Sequence, residues 1–189
     1  MKIAIFGGTF DPVHCAHLTV AREAALEFGC EQVLFVVAAN PPHKPNATSA
    51  PFEDRYRMVE LACEGEPLFR PSRLEEGHHR SYSIHTIERV RRKLGKVDSL
   101  FFIIGADAFA EIESWYRWQN VMKLVEFIVV TRPGHEYRTP EGARVRRLDT
   151  LALPVSSTDL RKRLAEGQPP AELPGPVFDY IRRNHLYGT

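Results

Sequence analysis

The chain has few cysteines, no long apolar run and no excess of either charge. Cys15, Cys30 and Cys63 are the only three cysteines in 189 residues, and no two form a Cys-x-x-Cys pair. An odd, dispersed set of thiols points to a reducing cytoplasm, not to a disulfide framework. No apolar stretch is long enough to cross a bilayer. The N-terminus, one lysine followed by four apolar residues and then glycines, does not read as a signal peptide. The expectation is a cytoplasmic protein with no membrane partner. Lys plus Arg number 25 and Asp plus Glu 24, a formal net charge of +1, which argues against a broadly cationic nucleic-acid binder. Repeats, low-complexity tracts and linkers are also missing, so residues 1–189 read as a single domain.

What is present is alternation. Residues 3–6, 32–38, 100–104 and 127–130 are continuous apolar strands, and residues 151–155 read as a last short one. Between them, residues 18–28 and 52–63 carry apolar groups at helical spacing, as do Ile84, Ile87, Val90 and Leu94. Residues 158–165 and 176–184 follow as helices, the latter with proline near its start. Apolar strands alternating with helices imply an α/β fold: a Rossmann-like domain whose mostly parallel sheet is covered by helices on both faces. Ligands then bind beyond the carboxyl ends of the strands. The segments 7–17, 38–44, 105–107 and 156–161 all follow strands and should meet at that edge.

The first of these segments carries the most chemistry. Gly7-Gly8-Thr9-Phe10-Asp11-Pro12-Val13-His14-Cys15-Ala16-His17 joins a strand to a helix start. Glycines let backbone N–H groups approach a phosphate, and a helix N-terminus adds unpaired donors and partial positive charge. His14 and His17, three apart, share one helix face. The segment lacks the Gly-Lys-Ser/Thr ending of a P-loop and does not fit GxGxxG. Near the other end, Ser156-Ser157-Thr158-Asp159-Leu160-Arg161 opens a helix. Hydroxyls and first-turn N–H groups there suit β- and γ-phosphates, and Arg161 supplies a forked cation. Asp159 suits the helix dipole and is expected to turn its side chain away. Each segment also has a plainer reading: a cap plus a core histidine, and an ordinary helix cap. A zinc site from His14, Cys15 and His17 is disfavoured, because adjacent helical residues diverge.

Taken together, the two segments resemble the nucleotidyltransferase superfamily, whose signatures are His-x-Gly-His and Ser-x-Thr-x-x-Arg. Gly-Gly-Thr-Phe-Asp-Pro-Val-His is similar to the bacterial nicotinate mononucleotide adenylyltransferase branch, with Ala16 where the family has glycine. Pro41-Pro42-His43-Lys44, Ser81-Tyr82-Ser83 (Ser83 for the branch's threonine), Gly105-Ala106-Asp107, Trp115-Tyr116-Arg117-Trp118 and Arg132-Pro133-Gly134 extend the likeness over essentially the whole chain. The resemblance implies adenylyl transfer from ATP to nicotinate mononucleotide, with Mg²⁺ bound on the triphosphate. It assigns catalysis to His14, His17 and Arg161. It assigns ATP and phosphate binding to Gly7, Gly8, Thr9, Phe10, Lys44, Gly105, Asp107, Ser156, Ser157 and Thr158. The acceptor nucleotide falls to Tyr82, Ser83 and Trp115, with Trp115 stacking on the pyridine ring and Trp118 in the core. Arg132 is an adenine-side or structural residue. The basic run from Arg89 to Lys93 and the His78-His79-Arg80 segment read as solvated surface. A phosphopantetheine-type adenylyltransferase and a non-catalytic nucleotide sensor are the alternatives. Oligomeric state stays open, a homo-oligomer included.

Overall fold

Strands buried on both faces must be apolar at every position, and β1 (Lys2–Gly8) shows the consequence. Ile3 and Ile5 pack into one hydrophobic cluster while Ala4 and Phe6 pack into the other. The chain is described by a computed structural model whose described residues are 1–40, 48–77, 80–94, 99–152 and 154–189. After β1 come α1 (Cys15–Phe28), β2 (Gln32–Val37), α2 (Phe52–Cys63), β3 (Phe69–Ser72) and α3 (Ser83–Leu94). They are followed by β4 (Ser99–Gly105), α4 (Ala106–Ala110), α5 (Trp118–Leu124), β5 (Glu126–Thr131), β6 (Val145–Asp149), α6 (Ser157–Ala165) and α7 (Gly175–Arg183).

The six strands form one sheet in the order β3-β2-β1-β4-β5-β6, every pair parallel. Parallel neighbours need a crossover; helices supply it from β1 through β5, whereas β5 reaches β6 through residues 132–144, which contain no helix. α1, α2, α6 and α7 cover one face through Leu18, Ala21, Val59, Leu160 and Ile181. α3, α4 and α5 cover the other through Ile84, Ile87, Phe109 and Val121. This is the α/β, Rossmann-like architecture expected from the alternation, and the strand order reverses between β1 and β4, where a doubly wound sheet opens a crevice. α1 ends at Gly29, whose φ of 66° closes the helix with an N–H to the Ala25 carbonyl.

Three expectations need correction. Of residues 151–155, the described ones, Leu151, Ala152, Pro154 and Val155, are in no strand: Leu151 is exposed and Ala152 N–H turns back onto the Thr150 hydroxyl. The sixth strand is instead β6, an edge strand whose Arg146 pairs with Glu126 across the sheet at 2.6 Å. Charge on an edge strand keeps other chains off, and it also hid this strand from a search for apolar runs. β3 was hidden in the same way by Pro71, which an edge position tolerates. Finally, the run from Arg89 to Lys93 is not simply solvated. Arg89 Nη1 donates to the Leu74 carbonyl at 2.9 Å, and Arg91 holds the Leu124 carbonyl through Nε at 3.2 Å.

The carboxyl edge of the sheet is held by one buried cation. Arg55, on α2, is 1% exposed. Its Nη1 donates to the carbonyls of Thr9 (2.9 Å) and Ala38 (2.7 Å), and its Nε to that of Ala50 (3.1 Å). The loops leaving β1 and β2 are therefore tied to the start of α2 by a single guanidinium. Burial lowers the Arg55 pKa, and the nearby Asp11 carboxylate opposes that shift. Arg55→Met would strand three carbonyls and remove a cation close to the buried Asp11 carboxylate. It is expected to lower stability by about 3–5 kcal/mol, read from the urea unfolding midpoint at constant m-value.

Candidate active site

The first motif leaves β1 at Gly7 and Gly8. A Cβ on Gly8 would lie 3.1–3.3 Å from the Phe10 ring, so any larger residue here would crowd that ring unless it gave way by a few tenths of an ångström. Phe10 is itself in the left-handed region, with φ 49°, and buried. Strain of this kind in a non-glycine residue persists only where the surroundings fix it. The ring of Phe10 sits 5.0 Å edge-on to His17, and that of Phe6 sits 6.0 Å away.

His14 is not in the helix. It is the N-cap of α1, extended at φ −144° and ψ 172°, and its backbone N–H donates to His17 Nδ1 at 3.1 Å. The two imidazoles stack 3.7 Å apart at 25°. A nitrogen that accepts carries no proton, so His17 is the Nε2–H tautomer and has one donor left for a ligand. Burial pushes the His14 pKa down to about 4, with Glu172 pulling it back up. Burial and then the neighbouring His14 hold His17 well below the ordinary imidazole value. Both rings are thus neutral near pH 7. Glu172 lies against the same helix start: its carbonyl accepts from Cys15 N–H at 2.8 Å, and its Oε1 accepts from Arg163 at 3.0 Å.

The second motif reaches this point through tertiary structure. Ser156 caps α6, its hydroxyl accepting from Asp159 N–H at 3.1 Å. Ser157 donates to the Pro12 carbonyl at 2.9 Å, and Arg161 Nη1 donates to the Asp11 carbonyl at 2.7 Å. The two ends of the chain are bonded to each other here. Asp159 is exposed and lies 3.8 Å from Arg163. A cavity of about 310 Å³ is lined by His14, His17, Gly105, Ser156 and Ser157, with Ala16 on its wall. Arg161 and Thr158 do not line it; Arg161 Nη2 donates to the Thr158 hydroxyl at 3.4 Å.

A second cavity, about 220 Å³, opens on the other side of the β1–β4 crevice. Gly7, Gly8, Gly105, Ser81, Ser83 and Trp115 line it. The Trp115 ring stands edge-on to Phe102 at 5.9 Å, which fixes one wall. Tyr82 is not on that wall: its hydroxyl accepts from Arg80 at 2.9 Å, and its ring packs 4.7 Å from that of Tyr116. Trp118 is half-buried against the hydrophobic cluster on this face of the sheet. Asp107 and Arg132 border a third space with Gly105, which therefore touches all three. Thr9 contributes its carbonyl to Arg55. Lys44 and His78-His79 lie outside the described residues. Among the described residues no group of three or more His, Cys, Asp or Glu side chains could hold a metal ion, and no helix is long and apolar enough to cross a membrane.

Sequence reasoning missed Asp11, Arg55, Glu75 and Glu172. The spacing of Arg55, Val59 and Ala62 put Arg55 on the apolar face of α2, a usable signal. Glu75, 7% exposed, accepts from the Thr86 hydroxyl, and both residues line the second cavity. Neither it nor Glu172 has a local sequence mark, because each matters only through residues distant in the chain.

Residues 5–163 match the family described as cytidylyltransferase-like. A protein of Solibacter usitatus named "Probable nicotinate-nucleotide adenylyltransferase" is 55% identical over 187 residues, covering 99% of this chain and 100% of that one. One of the same name from Acidothermus cellulolyticus is 40% identical, covering 98% and 94%. Among solved structures, the Plasmodium falciparum nicotinic acid mononucleotide adenylyltransferase complexed with APC superposes with a TM-score of 0.79 at 18% identity, covering 98% of this chain and 96% of that one. That likeness is one of fold; the sequence matches carry the kinship. The chain belongs to the cytidylyltransferase-like nucleotidyltransferases and, within them, to the nicotinate-nucleotide adenylyltransferase family.

Proposed function

We propose that this chain transfers the adenylyl group of ATP to nicotinate mononucleotide, giving nicotinate adenine dinucleotide and pyrophosphate in NAD synthesis. One observation carries the reading. Two cavities flank the β1–β4 crevice and share Gly105, one walled by His14, His17 and the α6 start, the other by Trp115 and Ser83. A donor nucleotide in the first and an acceptor in the second would bring the α-phosphate and the attacking phosphate together at the glycines. The sequence relatives bear that name over their full length, and a related fold is known complexed with NaAD.

The step is an in-line displacement. A phosphate oxygen of the mononucleotide forms a bond to the α-phosphorus, the bond from that phosphorus to the bridging oxygen breaks, and pyrophosphate leaves with the electron pair. No covalent enzyme intermediate is needed. His17 offers its Nε2–H to the oxygens where charge grows, and His14 stacks behind it. Arg161 and the hydroxyls and N–H groups of residues 156–158 neutralise the leaving pyrophosphate. Mg²⁺ enters on the triphosphate as part of the substrate, because the described donor set offers no protein cage for it. The nicotinate carboxylate is received by N–H groups around Tyr82 and Ser83 at the start of α3, and Trp115 lies along the ring.

Pyrophosphate release with ATP and nicotinate mononucleotide tests the reading directly, and absence of product from the folded parent would refute it. His17→Ala is expected to lower kcat on the order of 10²–10³ while changing mononucleotide binding little. Trp115→Ala is expected to raise the KM for nicotinate mononucleotide by an amount equivalent to roughly 1–3 kcal/mol, with the ATP KM unmoved. A defect on the ATP side alone would put the tryptophan in the other half of the site.

The neutral histidines also predict a pH response of the free protein. Their folded pKa values lie below the unfolded value, His14 at about 4. Between about pH 6.5 and 4 the unfolded chain therefore binds protons that the folded chain does not. Stability is fully present above that window and falls as the pH drops through it. In His14→Gln the urea midpoint should fall less steeply between pH 7 and pH 5 than in the parent.

A further inference from the structure

We propose that Tyr187, at the end of the chain, is a positioning residue for the triphosphate half of the site, an inference that rests on the adenylyl-transfer reading above. The C-terminal turn Leu186–Gly188 follows α7 and brings Tyr187 back across the first motif. Its hydroxyl donates to Asp11 Oδ1 at 2.6 Å, a contact spanning 176 positions. Asp11 is 3% exposed. Its Oδ2 accepts from Ser49 N–H at 2.6 Å, and its Oδ1 also accepts from Ala50 N–H at 3.1 Å. The carbonyl of the same residue holds Arg161 Nη1 at 2.7 Å. Tyr187 is thus one residue away from the guanidinium assigned to the leaving pyrophosphate.

The arrangement has a direction. Two N–H groups of residues 49 and 50 fix the Asp11 carboxylate from the α2 side, and Tyr187 fixes it from the opposite end of the chain. A carboxylate held from both sides cannot rotate, so its peptide carbonyl presents one orientation to Arg161. Next along the chain, the Pro12 carbonyl takes the Ser157 hydroxyl at 2.9 Å, so a shift at Asp11 would move both links between the motifs. The backbone at Tyr187 is left-handed, with φ 58°, a conformation that a tyrosine keeps only where side-chain contacts fix it. Burial and the bond to Asp11 push the phenol pKa well above its ordinary value, so the hydroxyl stays a donor at any working pH.

The test compares two changes in the same tail. Tyr187→Phe removes the hydroxyl and keeps the ring. Thr189→Ala removes the bonds from Thr189 Oγ1 to the Leu186 (2.9 Å) and Ile181 (3.3 Å) carbonyls and leaves Asp11 untouched. Melting temperatures establish that both fold. Tyr187→Phe is expected to weaken binding of a non-hydrolysable ATP analogue, and to raise the ATP KM, about tenfold, the effect of losing one hydrogen bond to a charged group. The acceptor KM should be unchanged, and Thr189→Ala should bind the analogue like the parent. Equal analogue binding by Tyr187→Phe and the parent would overturn the proposal. So would losses in both variants that simply follow their melting temperatures. Analogue binding is measured without acceptor, so it judges Tyr187 whatever the acceptor proves to be. Pyrophosphate release by the parent alone judges the adenylyl-transfer reading.

Discussion

A buried guanidinium with three carbonyls on it fixes the geometry on which this protein depends. Arg55 ties the loop leaving β1, the loop leaving β2 and the start of α2 to one point. Asp11 supplies the opposing charge nearby. Charges removed from water are costly unless every donor and acceptor is met, and here the partners are backbone groups of the loops that form the site. The carboxyl edge of the sheet is therefore tied together at a point where it would otherwise be separate loops. Phe10 can hold a left-handed backbone and Gly8 can sit under its ring because the segment between them has no freedom to relax.

That rigidity sets the electrostatics. His17 gives up one ring nitrogen to the His14 backbone and is walled by Phe6 and Phe10. It is thereby fixed as a neutral ring whose remaining donor is Nε2–H. The two stacked imidazoles at this helix N-terminus are neutral because burial and the helix dipole both oppose a positive charge there. The α6 start brings Ser157 and Arg161 to the first motif by bonding to its carbonyls, so segments from both ends of the chain form a single bonded unit.

Much of this was legible in the sequence, and the reasons are local. The Gly-Gly turn, the histidine spacing and the Ser-Ser-Thr helix start are short-range signatures, and fully apolar strands announce a parallel sheet. β3 and β6 were illegible because edge strands are selected to look unlike core strands: Pro71 and Arg146 keep other chains away. Residues 151–155 misled for the converse reason. An apolar stretch beside a sheet carries the pattern of a strand, yet Leu151 is exposed on a connecting segment. The resemblance groups Tyr82 with Ser83 as one contiguous element, but neighbouring side chains here point in different directions, so Ser81 and Ser83 line the cavity and the Tyr82 ring does not.

By itself the sequence determined the fold class, the family and the two motifs that the site would need, because each is written in contiguous residues whose spacing has a physical meaning. Tertiary structure alone decided how those motifs join. No local pattern says that Arg55 will serve three carbonyls from two loops, that Glu172 will lie against the start of α1, or that Tyr187 will reach Asp11. Those contacts arise when the sheet brings distant segments within hydrogen-bonding distance. Burial then makes each unpaired polar group so costly that the partners which do meet become fixed.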